Sequence, residues 1–311
     1  ALPSIRSPAL TGPGAAGAFL FLEDGVAFRA PGFANNNGLA EASLEQAGGV
    51  ETIRGPGSAF HGSNAVHGVV NILSRTPSEK LQREIDFSGG PHDLYKIKGT
   101  ISGSIDRHGY RLNAYGVQDG GYRDRSGYGL QKMQARHDYQ GTRNSTKTVL
   151  SVFNLNQETA GFISSGDNGG GCYTSNKAPA FLYEDMAAMR RNCDPDAYRD
   201  WSSVRLYSRW THDVNERQSL NITPYFRDND MEFRQHYLPS RAIEENDHTS
   251  VGVLSGYTWD LDVGHKIIAG VDVEYTEGSL TETQQLPDRF SFGKARQQGV
   301  HFNYDVAATV V

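Results

Sequence analysis

From Leu94 onward, stretches alternating apolar with polar residues are joined by connections that are short and long in turn, and that parity constrains the fold more than any other feature. The short connections are Asp106-Arg107-His108-Gly109, Gln140-Gly141-Thr142-Arg143, Asp213-Val214-Asn215-Glu216 and Leu261-Asp262-Val263-Gly264; the long ones cover about 120–128, 157–201, 230–248 and 278–298. Strands joined this way form a wall with tight turns at one end and long loops at the other. Ten strands are expected: 84–89, 94–105, 110–119, 129–139, 145–156, 202–211, 218–229, 249–260, 265–277 and 299–310. Ile97, Gly99, Ile101, Gly103 and Ile105 oppose Lys96, Lys98, Thr100, Ser102 and Ser104, and Ile267, Ala269, Val271, Val273 and Tyr275 oppose Gly270, Asp272 and Glu274. Val300, Phe302, Tyr304 and Val306 likewise oppose His301, Asn303 and Asp305. A strand has a side-chain period of two, so each set gives one apolar and one polar face, as a lipid-facing barrel wall requires. The hairpins of a soluble sandwich would not keep such long strands in strict short and long order.

Averaged hydropathy does not register a wall of this kind. The mean hydropathy of −0.54 reflects alternation, and it is compatible with a transmembrane β-barrel. No stretch approaches the roughly 18 consecutive apolar residues of a membrane helix, which excludes a helical membrane protein. Lys and Arg, 30 in all, are outnumbered by 36 Asp and Glu and form no basic cluster, so nothing points to nucleic acid.

Residues 1–78 differ in kind. They combine strand-like runs (19–22, 50–53, 69–73) with one expected short helix, 39–47, stopped by Gly48-Gly49. Between Val50 and Pro77, Gly55, Gly57, Gly62 and Gly68 punctuate a strand, a small polar loop and a second strand. Here Glu51 and Arg54-Gly55-Pro56 are followed by Ser58, Gly62, Ala65, Gly68 and Asn71. This pattern resembles the end of the plug domain of TonB-dependent outer-membrane receptors, and Phe19 to Val26, with Asp24-Gly25, resembles an earlier plug strand of that family. Ile5-Arg6-Ser7 stands where the family has an Arg-Gly step, with Ser7 in place of the glycine.

The resemblance implies a mainly β protein: an N-terminal mixed α/β plug (1–78) inside a transmembrane antiparallel β-barrel (79–311). About 22 strands are expected in the whole barrel and about ten in this sequence. The chain then reads as part of a longer protein, the TonB box, signal peptide and remaining strands lying outside it. The implied function is import of a scarce nutrient, most often a ferric siderophore, from the cell exterior to the periplasm of a Gram-negative cell. TonB, with ExbB and ExbD, drives import from the periplasmic side, and outer-membrane lipid surrounds the barrel. Alternatives are a passive porin or surface-binding barrel, or uptake of cobalamin, haem or an oligosaccharide.

Candidate site residues follow from both readings. Arg29 and Phe33 lie in a loop expected to be an exposed plug apex, where Arg29 is suited to grip carboxylate, catecholate or hydroxamate oxygens, or to pair with the barrel. Phe60 and His61 stand where the family usually has Leu-Tyr, at another apex; His61 is either a donor to an anionic chelate or a tolerated aromatic exchange. The resemblance makes Glu51 and Arg54 a latch to charges on the barrel wall, against the plainer reading of an exposed strand pair. In an oxidising compartment Cys172 and Cys193 are expected to pair and close a loop of about 20 residues, contributing on the order of 3 kcal/mol; two free thiols are the alternative. His92, His236 and His248 lack metal-ligand spacing and read as solvated loop residues. No nucleophile elbow, zinc box or phosphate loop is present, so neither an enzyme nor a cofactor is expected.

Overall fold

The computed structural model describes residues 19–33, 38–161, 163–164, 171–172, 190–235, 242–262, 264–283 and 300–306. A small sheet is built from β1 (Phe19–Glu23), β2 (Val26–Ala27), β3 (Ala47–Arg54) and β4 (Gly68–Ser74), in the order β2-β1-β4-β3. β1 runs parallel to β4, with Phe19 opposite Gly68 and Glu23 opposite Ile72. Phe19 to Leu22 is apolar without a break, the pattern of a strand buried on both faces. One face packs Phe19 and Phe21 with Phe28, Ala42 and Ile72; the other packs Leu20 and Leu22 with Ala65 and Val69. Asp24 and Gly25 take φ of 49° and 89°, the two positive values that close a tight β1–β2 hairpin. The helix expected over 39–47 is instead two single 3₁₀ turns, Gly38–Ala40 and Leu44–Gln46, with Ser43 between them. Ser and the following short polar stretch offer the backbone local alternatives to a continuous helix. A one-turn helix, α1 (Ser58–His61), occupies the loop between β3 and β4 and ends at Gly62, whose φ is 75°.

The second sheet has eleven antiparallel strands: β5 (Gln82–Gly90), β6 (Leu94–Ile105), β7 (His108–Asp119), β8 (Tyr128–Gln140), β9 (Asn144–Glu158), and, beyond the separate two-residue pair β10 (Ile163–Ser164) and β11 (Gly171–Cys172), β12 (Tyr198–Asn215), β13 (Gln218–Arg234), β14 (Ile243–Asp262), β15 (His265–Ala269), β16 (Val273–Thr283) and β17 (Val300–Val306). Sequence neighbours are spatial neighbours, apart from the short pair and from β15 and β16, which both pair with β14. Several strands outrun their expected limits: β12, β13 and β14 span 18, 17 and 20 residues. The expected strand 265–277 is divided. β15 pairs with β14 over five residues, the ladder lapses at Gly270, and β16 resumes beside β14 up to Thr283. A Cβ at Gly270 would lie 2.2 Å from the Ser255 carbonyl oxygen, so close backbone approach accompanies the break.

Alternation sorts the wall into two faces. Leu206, Phe226 and Val251 share one row across β12 to β14 and are exposed on the face away from the small sheet. Their chain neighbours Arg205, Tyr207, Tyr225, Arg227 and Ser250 are buried on the face that meets it. The small sheet therefore sits against the polar side of the large one.

Leu22, 2% exposed, tests whether the small sheet has a core of its own. Leu22→Ala is expected to cost about 2–5 kcal/mol there. Hydrogen exchange should quicken at the amides of β1 and β4 while those of β13 keep their protection.

Candidate functional site: the seat of the small sheet on the wall

The turn that ends β1 carries two acids into the wall. Glu23 is 1% exposed. Its carboxylate accepts from Gln134 Nε2 at 2.7 Å and Ser151 Oγ at 2.8 Å, and pairs with Arg205 Nη2 at 3.4 Å. Asp24 pairs with Lys147 Nζ at 3.0 Å, accepts from Tyr207 Oη at 2.7 Å and takes a hydrogen bond from Ser74 Oγ. Its main-chain oxygen accepts from Arg209 Nη2 at 2.5 Å. Burial alone would raise the Asp24 carboxyl, yet Lys147 and the bonds from Ser74 and Tyr207 outweigh it and hold the group below its ordinary value. The neighbouring strand end is fastened too, because Arg136, gripped by Asp138 at 2.7 Å, donates to the Ser74 carbonyl at 2.6 Å.

A second band of contacts lies nearer the long-loop end. Arg29 Nε stands 3.6 Å from Glu41 Oε1, and Glu41 Oε2 stands 3.8 Å from Arg205 Nη1, all three residues buried. Arg29 lies over the Trp201 ring at 4.4 Å and Arg205 over the Phe28 ring at 4.2 Å. Burial pushes the Glu41 carboxyl up against the pull of Arg29 and Arg205, and pushes Arg29 down, although a guanidinium stays charged. Lys132 Nζ donates to the Ala42 carbonyl at 2.5 Å and pairs with Glu45 at 3.3 Å. Ala30 N–H donates to His248 Nε2 at 3.3 Å, and Phe33 stacks on the His248 ring at 4.6 Å.

Two expectations change here. The loop around Arg29 and Phe33 is not an exposed apex over its described part, 28–33: Phe28, Arg29, Ala30 and Phe33 are buried, because Trp201, Arg205 and His248 close over them. His248 is no solvated loop residue. It lies within β14, which starts at Ile243 and outruns its expected limit, so the ring falls on the inner face, 2% exposed.

Arg29, Phe60 and His61 line one cavity of about 220 Å³ between the small sheet and the wall, with Tyr225, Asp272 and Glu274 on the other side. Phe60 is 75% exposed. Partial burial lowers the His61 imidazole below its ordinary value, with Glu51 opposing. Phe33 is not among the lining residues. Asp24 and Ser74 meet the wall near its short turns, so the opposite end of β4, where α1 precedes Gly68, faces the long loops. Glu51 and Arg54 lie exposed on β3, the outer strand of the small sheet; Glu51 accepts from Asn71 Nδ2 at 2.9 Å, and among the described residues neither makes an ion pair with the wall. Cys193 is not a free thiol, and the side chain of Cys172 lies outside the described residues, as does His236.

Sequence alone does not single out the seat at Glu23 and Asp24, although two acids ending an otherwise apolar strand are a usable signal: buried charges need partners on another element.

No family model matches the chain. A vitamin B12 transporter of Photobacterium profundum is 27% identical over 96 residues, which is 31% of this chain and 15% of that protein. The ferric citrate transporter FecA in its unliganded form superposes with a TM-score of 0.68 at 16% identity, covering 87% of this chain and 40% of its own. The siderophore receptor PiuA of Acinetobacter baumannii gives 0.67 at 11% identity, covering 93% and 46%. The ferric-catecholate import receptor Fiu of E. coli K12 gives 0.66 at 15%, covering 86% and 43%. The fold is that of a TonB-dependent receptor. The chain spans less than half the length of each of these solved structures, and a TonB-dependent receptor fold at such low identity fixes architecture without fixing a ligand.

The two acids predict how the seat responds to pH. A carboxyl held below its unfolded value contributes stability above about pH 3.8 and loses it as pH falls through the folded value; Asp24 is of this kind. Glu41 is raised, so its contribution is complete below about pH 4.5 and lost on going up through its folded value. Acidification should therefore leave the Asp24 contacts intact until the pH falls below about 3.8, whereas Glu41 takes up its proton at a pH above its ordinary value. Emission from Trp201, packed under Arg29 beside Glu41, should shift with a midpoint above about pH 4.5 that Glu41→Gln abolishes; emission unchanged from about pH 9 down to about pH 4.5 would contradict a raised Glu41 carboxyl.

Proposed function

We propose that the chain is part of an outer-membrane active-transport receptor that binds a scarce nutrient, first among the candidates a ferric siderophore, and passes it to the periplasm when TonB, energised by ExbB and ExbD, pulls on the plug. The small sheet with its loops (1–78) is the plug, and 79–311 is the first part of a barrel of about 22 strands. The observation that carries this reading is the polar, multi-point seat. A domain fixed permanently inside a wall is most simply held by apolar packing, whereas charge pairs and hydrogen bonds at Glu23, Asp24, Glu41 and Lys132 are exchangeable for water once the sheet is displaced. Mainly β architecture, the outward apolar row and the receptors that share the fold all fit an outer-membrane location. Glu51 and Arg54 face away from the wall strands of this chain, so later strands would supply their partners. A disulfide between Cys172 and Cys193 would pre-order the long loop that Arg123 already ties down through the carbonyls of Gly161 and Arg191, at 2.6 and 2.7 Å.

The test is uptake and binding by the intact receptor across ferric siderophores, cobalamin, haem and oligosaccharides. Saturable binding of one ligand, with import that stops when the proton gradient is collapsed, is the expected result. Ungated ion conductance without binding would leave a passive barrel. A membrane wall also predicts a position effect: Leu206→Arg, on the outward face, should lower barrel stability in vesicles by about 2–4 kcal/mol near the bilayer midplane. Equilibrium unfolding in urea measures it.

A further inference from the structure

We propose that Arg29 is a two-position switch: an oxyanion of the imported ligand, entering the cavity beside His61, draws its guanidinium from Glu41 and Trp201 and so loosens the upper band of the seat. The inference rests on the receptor reading and deepens it by naming the ligand chemistry and its coupling to the plug.

Arg29 belongs to both places at once. It lines the 220 Å³ cavity with Phe60 and His61, and it also lies over Trp201 and against Glu41. Its present bonds are poor. Nη1 reaches the Phe33 carbonyl at 3.4 Å, the Glu41 contact is 3.6 Å, and Nε and Nη2 are buried without a hydrogen bond. Glu41, also buried, has Ser203 and Trp201 as further hydrogen-bonding neighbours. Arg29 is thus held by long contacts, and a carboxylate, catecholate or phosphate oxygen in the cavity would give its N–H groups shorter, charge-assisted bonds. Departure of Arg29 would leave Glu41 with Arg205 as its ion-pair partner among the described residues, beside Ser203 and Trp201.

The other charges around the cavity limit what can enter. Glu274 is engaged by Arg227, Tyr225 and Thr276, and so presents little free charge. Asp272 accepts from the Ser255 N–H at 3.1 Å and lines the same cavity as Arg29. The fitting group therefore brings an oxyanion to Arg29 and His61 and a hydrogen-bond donor to Asp272. At about 220 Å³ the space is smaller than the roughly 300–1,000 Å³ of a whole-ligand pocket, so it receives one arm of a ligand.

Ferric citrate, an anionic carboxylate chelate, and cobalamin serve as probes on the full-length receptor in detergent. Affinity is read by equilibrium dialysis, and Trp201 emission by subtracting the Trp201→Phe variant. The switch predicts that ferric citrate binds and changes Trp201 emission. Arg29→Gln should weaken binding about tenfold or more and abolish the emission change, the scale of one lost charged hydrogen bond. Glu41→Gln should act oppositely, strengthening binding several-fold by removing the competing partner; this second variant keeps the test sharp if Arg29→Gln folds poorly. Ferric citrate binding that ignores both substitutions, with Trp201 emission unchanged, overturns the switch while the receptor reading stands. Binding of cobalamin alone overturns the oxyanion assignment and also spares the receptor reading. No binding of either probe, with open ion conductance, removes the receptor reading and the switch with it.

Discussion

Two carboxylates at the end of one buried strand fix the position of everything else in the N-terminal unit. Glu23 and Asp24 enter the wall where Gln134, Ser151, Lys147, Arg205, Tyr207 and Arg209 converge from three adjacent strands. Their charges are tolerated there only because each has several partners, since an unpaired buried carboxylate would be strongly destabilising. The Asp24-Gly25 turn, with both residues at positive φ, delivers the two acids side by side and returns the chain into β2. From that anchor residues 28–33 and 38–46 lie along the wall against Trp201, His248 and Lys132.

The wall is largely legible in the sequence because its signal is periodic and repeated: alternation and loop parity recur on strand after strand. Strand ends are less legible. β14 extends back through Glu244, Glu245, Asn246, Asp247 and His248, polar on both sides, where composition no longer distinguishes strand from loop. That is why His248 reads as a loop residue from sequence. The small sheet shows its strands through Phe19 to Leu22 and Val69 to Leu73, but the 39–47 region does not keep its helix, since tertiary contacts of Glu41, Ala42 and Glu45 with the wall decide the backbone there. Contacts across a hundred or more residues, such as Glu23 with Ser151, leave no local pattern to read.

The candidate site is legible in its parts and not in its arrangement. Arg29, Phe60 and His61 do line one cavity, yet Arg29 is buried and shared with Glu41, and Phe33 is committed to His248. Sequence indicates that an arginine beside aromatics suits oxyanions; only the fold indicates that the same arginine is also part of the seat. The cavity and the seat thus share one side chain.

The measurement closest to the central claim compares wild type with a Glu23→Gln, Asp24→Asn double variant of the full-length protein, which keeps shape and removes both charges. Amide exchange in β1 and β4 and ion conductance in planar bilayers are followed together, with β13 as the internal control. If the two acids hold the unit in place, exchange in the small sheet rises by about a hundredfold or more, the scale of a broken buried charge pair, and conductance appears, while β13 is unchanged. Wild-type exchange and a closed conductance in the double variant would contradict the account and place the anchor elsewhere.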